Sequence, residues 1–152
     1  MNINGEKEMS ASREVVWRAL NDPAVLQRCI PGCKTLEQVS PTELAATVSL
    51  AIGPVKANFS GKVRLQDLNP PESYRIEGEG QGGIAGFAKG SANVRLLETE
   101  RGTRLEYSAN SAVGGKIAQL GSRLIESTAR KLSDQFFTKF VAIVEEANQA
   151  SA

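Results

Sequence analysis

No histidine occurs anywhere in the 152 residues. That removes the side chain best suited to general base work near neutrality, the Ser-His and Cys-His nucleophile pairs, and the commonest metal ligand. Cysteine is scarce as well. Cys29 and Cys33 are the only two, spaced C-x-x-x-C, with no second pair to complete a zinc site. They read as small hydrophobes flanking a turn, and a chain of this size needs no disulfide framework, which fits a reducing compartment. Neither sign of charge is in excess, with 18 basic against 17 acidic residues, so no overall field calls for nucleic acid. No apolar run approaches the ~20 residues of a membrane span. The start, MNINGEKEMS, lacks the basic-then-apolar layout of a secretory signal. The expected location is cytoplasmic, with any membrane contact peripheral and at the inner face. The length suits one domain, 1–152, with a real core.

What the sequence does have is alternation. Between Glu43 and Val113 five segments run with period two, and each keeps an apolar side almost free of charge. That side carries Leu44, Ala46, Val48, Leu50 and Ile52, then Val55, Ala57, Phe59, Gly61, Val63 and Leu65. It continues through Ile76, Gly78, Gly80 and Gly82, through Ala88, Gly90, Ala92, Val94 and Leu96, and through Leu105, Tyr107, Ala109, Ser111 and Val113. The opposite side holds residues such as Lys62, Arg64, Glu77, Glu79, Lys89 and Arg104. Successive side chains of a strand point to opposite faces, so the pattern predicts a sheet with one wet and one dry face.

The remaining elements are equally legible. Residues 2–9 read as a weak first strand. Ser12 is suited to cap a short helix through Leu20, and Asp22 followed by Pro23 starts a second one that Pro31 and Gly32 stop. A strand near residues 34–39 precedes the five alternating segments. After Gly114 and Gly115 the period changes to about 3.6. Ile117, Leu120, Leu124, Thr128, Leu132, Phe136 and Phe140 form a stripe at spacings of three and four, which predicts a helix over 116–147. At 1.5 Å per residue that is roughly 45–50 Å. A curved sheet needs its dry face covered, and only this helix is long enough. The expected fold is therefore α+β, a helix-grip arrangement: a curved antiparallel sheet around a long C-terminal helix, with two short helices after the first strand.

Gly78, Gly80 and Gly83 satisfy the dinucleotide pattern G-x-G-x-x-G, but an alternating strand follows where a phosphate-binding helix is required. Their parity gives a better account. Gly78, Gly80 and Gly82 point inward and face Ala88, Gly90 and Ala92 on the next strand. Interior strand glycines are costly unless backbone approaches closely or space is needed. Two explanations compete: the glycines let the sheet coil and Phe136 or Phe140 fill the gap, or they leave an apolar ligand cavity. Around such a cavity the expected lining adds Trp17, Leu50, Phe59, Ala109, Leu120, Leu124 and Phe136. Tyr107 and Ser111, the only inward polar strand residues, either orient a ligand or are satisfied by backbone and water. Ile84 and Phe87 sit on a glycine-rich hairpin, and either tuck under the helix or form a lip at the cavity entrance. Lys116, Arg123, Arg130 and Lys131 outweigh Glu126 along the first half of the helix, as a solvated face or as a surface for an anionic bilayer or partner.

The strings CIPGC (29–33), GPVKANFSGKVRL (53–65), GFAKGSANV (86–94), AQLGSRLI (118–125) and ARKLSDQFF (129–137) resemble the G-subunit family of carbon monoxide dehydrogenase, part of the START-like, or SRPBCC, helix-grip superfamily. The resemblance covers nearly the whole chain. It implies a hydrophobic cavity between sheet and helix, and an accessory role beside a molybdenum-containing dehydrogenase of the carbon monoxide type. It further implies attachment of that dehydrogenase to a membrane, and carriage of a lipophilic electron acceptor such as a quinone. Molybdenum and iron–sulfur centres would belong to partner subunits, since this chain lacks their ligands. Family members that act at membranes often carry an apolar or amphipathic extension. This sequence stops at Ala152, so the expectation is ligand binding without self-anchoring.

Three functions follow as expectations. The first is a non-enzymatic binding module for a lipid or quinone-like molecule, with no covalent cofactor and no metal. The second is an enzyme of the cyclase or hydrolase kind, working through Tyr107 and Ser111. The third is an assembly factor docking on the dehydrogenase, favoured if Phe59, Phe136 and Phe140 leave the interior solid.

Overall fold

The alternation resolves into one seven-stranded antiparallel sheet in the computed structural model, which describes residues 2–150. Along the chain come β1 (Asn2–Met9), α1 (Arg13–Leu20), α2 (Pro23–Cys29), β2 (Cys33–Ser40), β3 (Glu43–Ile52), β4 (Val55–Asn69) and β5 (Ser73–Gln81). They are followed by β6 (Phe87–Thr99), β7 (Gly102–Gly114) and α3 (Ser122–Ala150). The spatial order is β1-β7-β6-β5-β4-β3-β2, so β2 to β7 form a meander and β1 closes the far edge. Because β1 and β2 lie on opposite edges, α1 and α2 must carry the chain across one end of the sheet. Both helices start as the sequence predicts. Ser12 Oγ accepts from the Val15 N–H at 3.4 Å, and Asp22 Oδ1 accepts from the Ala24 N–H at 3.0 Å with Pro23 in the first turn.

Strand register sorts the dry face into rows. At the end near α1 and α2, Tyr74 lies opposite Val94 and Val94 opposite Tyr107, while Leu96 pairs with Leu105. These large side chains meet Leu20, Leu26, Phe137, Phe140, Ile143 and Val144 in the main core. Phe140 is fully buried, a contribution of about 1.5–3 kcal/mol from apolar burial. Two buried hydroxyls are matched, Tyr74 Oη donating to the Leu20 carbonyl at 3.3 Å and Thr103 Oγ1 to the Ala11 carbonyl at 2.8 Å, whereas Arg13 Nε and Arg104 Nε are buried with no hydrogen-bond partner among the described residues. A smaller cluster at the opposite end joins Ile52, Ala57, Phe59, Ala85, Ile117 and Ile125.

The C-terminal helix departs from expectation at its start. Periodicity from residue 116 predicts helix, yet Gly115–Leu120 form a 3-10 turn and α3 begins only at Ser122. Gly121 separates the two pieces at φ +98°, a conformation side chains other than glycine's rarely adopt. Ile117 is still fully buried and Leu120 half-buried, so the apolar spacing is met by two segments instead of one. The 29 residues of α3 span about 43 Å.

The wet face is laced with ion pairs: Arg64 reaches Glu43 at 3.6 Å, Glu77 at 3.6 Å and Glu79 at 3.3 Å, and Arg95 reaches Glu106 at 3.1 Å. All are partly solvated, so each adds little to stability. Lys7 and Glu98 both sit on the inward parity, Glu98 opposite Thr103 and 3.4 Å from Arg13. Lys7 of β1 lies opposite Leu105 and pairs with Asp134 of α3 at 3.0 Å, tying the sheet edge to the helix.

Candidate functional site

Between the two apolar clusters the sheet and α3 flank an open-sided cavity of about 360 Å³. Its floor follows from register. One row runs Ala46, Gly61, Gly80, Ala88 and Val113 across five strands, and the next runs Leu44, Val63, Gly78, Gly90 and Ser111. Apart from Leu44 these residues border the hollow, with Val48, Leu50, Ile52 and Phe59 completing the floor. Ile125, Thr128, Ala129 and Leu132 of α3 form the roof, and Ile30 and Pro31 after α2 close one side.

The glycines divide by function. A Cβ placed on Gly78 would meet only the Lys62 carbonyl oxygen at 3.8 Å, and one on Gly90 only that of Asn110 at 3.7 Å. These two leave open space. A Cβ on Gly61 would instead run into the carbonyl group of Glu79, so there the backbones approach too closely for any side chain. At Gly80 a Cβ would stand 3.2 Å from Phe59 Cβ, a tight but adjustable contact. Of the two explanations offered by the sequence, open space is present at Gly78 and Gly90, whereas neither Phe136 nor Phe140 fills the gap; the close neighbours are Phe59 at Gly80 and backbone at Gly61.

Of the residues expected around the cavity, Leu50, Phe59, Gly78, Gly80, Ala88, Gly90 and Ser111 border it. The others lie elsewhere. Trp17 packs edge-on against Tyr74, centroids 5.6 Å apart, in the main core. Tyr107 stacks on Phe137 at 4.0 Å, and Phe136 meets Phe137 edge-on at 4.9 Å. Ala92 and Ala109 share a row with Ile76 beside that core. Gly82 lies past the end of β5, pressed by the Phe59 ring, whose Cε1 would be 2.8 Å from an added Cβ. Leu120 packs in the smaller cluster, and Leu124 covers the Gly53 turn. Ile84 is 89% exposed and Phe87 38% exposed on their hairpin, so neither tucks under α3. The sequence reading missed other lining residues, among them Ala46, Val48, Val63, Thr128, Ala129 and Leu132. Ala46, Val48 and Val63 share the inward parity of Leu50, and Thr128 and Leu132 lie on the apolar stripe, so parity was the signal and only register could locate them.

Among the described residues no charged side chain is directed into the cavity by strand parity. Lys62, Glu79 and Lys89 border it from outward-facing positions, and the first two are engaged outside, Lys62 with Glu43 at 3.4 Å and Glu79 with Arg64 at 3.3 Å. The two tyrosines are poor acid–base groups for neutral pH. Burial pushes the Tyr107 phenol up, partly offset by Lys7, and burial pushes Tyr74 far above its ordinary range. Burial also raises Cys29 to about 11, against opposing pulls from Arg28 and Lys139, and raises Cys33. Among the described residues no group of three or more His, Cys, Asp or Glu side chains is placed to hold a metal.

Two further hollows adjoin the cavity. A polar mouth of about 420 Å³ shares Pro31, Leu50, Thr128 and Leu132 with it, and adds Ser49, Ser127, Lys131 and Gln135. On the outer face of the sheet a shallow groove of about 270 Å³ lies over the same Gly78 and Gly90, bordered by Arg75, Glu77, Ser91 and Asn110.

A meander sheet wrapped on a C-terminal helix, two short helices across its end and a gap beneath the helix define a START-like (SRPBCC) helix-grip protein. Solved structures agree. A conserved protein from Geobacillus kaustophilus is 32% identical over 97% of each chain, with a TM-score of 0.87. Protein CV1439 from Chromobacterium violaceum, 20% identical over 95% of this chain and 97% of its own, superposes at 0.66. Ara h 8.0201, 16% identical over the same shares, superposes at 0.64; these last two speak to the fold alone. Within that class the chain belongs to the G-subunit (CoxG) family of carbon monoxide dehydrogenase, which matches residues 5–144. Membership implies an accessory role with carbon monoxide dehydrogenase. No protein of curated function matches the chain. Among the described residues no helix is long and apolar enough to cross a membrane.

Proposed function

We propose that this protein takes up a hydrophobic small molecule, lipid- or quinone-like, in the hollow beneath α3. It does so as a non-catalytic accessory to a membrane-linked molybdenum dehydrogenase of the carbon monoxide dehydrogenase type, working in the cytoplasm with at most peripheral contact at the membrane's inner face. The supporting observation is an apolar cavity of about 360 Å³ held open by Gly78 and Gly90. That volume lies in the lower part of the ~300–1,000 Å³ range of ligand pockets. Burying ~300 Å² of apolar ligand surface contributes roughly 7–8 kcal/mol before ordering costs, and no inward charge must be desolvated. The cavity supports this reading over a purely assembling one, because Phe140 fills the far core while the space near Phe59 stays open. It also weakens the enzymatic reading, since Tyr107 lies outside the hollow and only Ser111 borders it.

The test has two arms. Organic extracts of protein purified from its native host are expected to yield a lipid or quinone by mass spectrometry. Gly90→Leu is expected to abolish uptake of that compound, measured by calorimetric titration, with circular dichroism unchanged. Full affinity in a folded Gly90→Leu protein would move the binding site elsewhere, and extracts empty of any apolar compound would favour the assembly role.

A further inference from the structure

The polar mouth at the edge of the cavity carries information about the ligand's other end. Cavity and mouth lie side by side and share Pro31, Leu50, Thr128 and Leu132 along their borders. Along α3 the side chains grade outward: Thr128 and Leu132 border both spaces, while Ser127, Lys131 and Gln135, at i, i+4 and i+8, border only the mouth. Opposite them stand Ser49, Ala51 and Gly53 of β3 and its turn. Ser49 Oγ is occupied by Asn58 Oδ1, and Ser127 Oγ by the Leu124 carbonyl. Lys131 is the one charged residue of the mouth, and among the described residues it forms no ion pair. The acids nearest along the helix are committed, Glu126 to Arg130 at 2.9 Å and Asp134 to Lys7 at 3.0 Å. A dry pocket leading to a wet rim with a single cation fits a molecule with one hydrocarbon end and one anionic end.

We infer that the natural ligand is a single-chain amphiphile with an anionic head, carboxylate or phosphate ester, whose tail lies in the cavity and whose head meets Lys131. This rests on the cavity reading above and narrows it, setting neutral quinone-like molecules second. An ammonium attracts an anion as a point charge, so Lys131 selects for charge more than for head-group shape.

The test is displacement of the neutral fluorophore N-phenyl-1-naphthylamine by dodecanoate, dodecyl phosphate and dodecanol at low ionic strength. Wild type is expected to prefer the anions over dodecanol by about two- to fivefold, the usual worth of an exposed ion pair, with the preference fading in salt. Lys131→Met is expected to erase the preference and Lys131→Glu to reverse it, whereas Lys139→Met, elsewhere on the same helix, leaves it intact. Comparing the two anions identifies the head. Shortening the tail is expected to cost about fourfold per methylene in every variant. Equal binding of anions and dodecanol by wild type, or a preference that survives Lys131→Glu, overturns the head-group assignment. Gly90→Leu separates the two ideas. Binding that persists there with the preference still reversed by Lys131→Glu keeps the mouth and discards the cavity; loss of all three ligands there, with the ratio insensitive to Lys131, keeps the cavity and discards the mouth. No displacement by any of them from wild type discards both.

Discussion

The two halves of the sheet–helix sandwich share one alternation and reach opposite outcomes. Near α1 and α2 the inward rows carry Tyr74, Val94, Tyr107, Leu96 and Leu105, and α3 sets Phe137, Phe140 and Val144 upon them. Toward the start of α3 the rows thin to Ala46, Gly61, Gly80 and Ala88, and then Gly78 and Gly90, with Thr128, Ala129 and Leu132 above. Hydrophobic character is similar throughout. Side-chain volume per row decides whether the interior is solid, because native cores fill their space almost completely wherever the residues allow it.

The most disruptive way to attack this contrast is Phe140→Ala. With Phe140 fully buried in the solid half, a loss of about 3–5 kcal/mol is expected by urea denaturation, while ligand affinity in the protein that remains folded stays near wild type. A comparable loss of affinity would mean that the halves are not independent. Next comes the contrast between two glycines of the hollow half. Gly61→Ala drives a methyl group into the Glu79 backbone and is expected to cost about 1–3 kcal/mol, whereas Gly90→Ala meets nothing closer than 3.7 Å and is expected to be neutral or stabilising. Equal thermal shifts for the two variants would refute the division of the glycines into spacers and close-approach positions. Tyr74→Phe removes the donor to the Leu20 carbonyl and is expected to cost about 1–2 kcal/mol without affecting uptake.

The smallest effect concerns the thiols. Burial lifts Cys29 from an ordinary 9.0 to about 11. A raised folded-state value means the folded protein holds its proton where the unfolded chain has lost it. That contribution to stability is whole below pH 9 and declines as pH climbs toward 11. Cys29→Ala is expected to flatten this decline in urea titrations at several pH values. Alkylation at pH 8, followed by mass spectrometry, is expected to modify the half-buried Cys33 ahead of Cys29, which is 3% exposed.

Strand faces, the caps at Ser12 and Asp22, and the element order could all be read from residues alone, because period and capping are local. Position along a strand relative to the helix is not local. Tyr107 and Ser111 share a parity and differ by four residues, yet register puts Tyr107 opposite Val94 in the solid half and Ser111 opposite Gly90 in the hollow one. The same limit displaced Phe136, Ala92, Ala109 and Trp17 from the expected lining. The break at Gly121 was hidden because Ile117 and Leu120 keep helical spacing across a 3-10 turn. Lys7 escaped notice in the weakly alternating β1, and its partner Asp134 is 127 residues away.

Where Gly78 faces Gly90 no inward side chain thickens the β layer, and the cavity and the outer groove lie back to back. The hollow is parted there from the exterior by the thickness of the peptide layer. Arg75 and Lys89 border that groove together with Glu77 and Glu79, and Arg75 lies 3.7 Å from Glu77, so the charges around its rim balance. A charge added to or removed from that outer rim would therefore act on the hollow across the thickness of a single peptide layer.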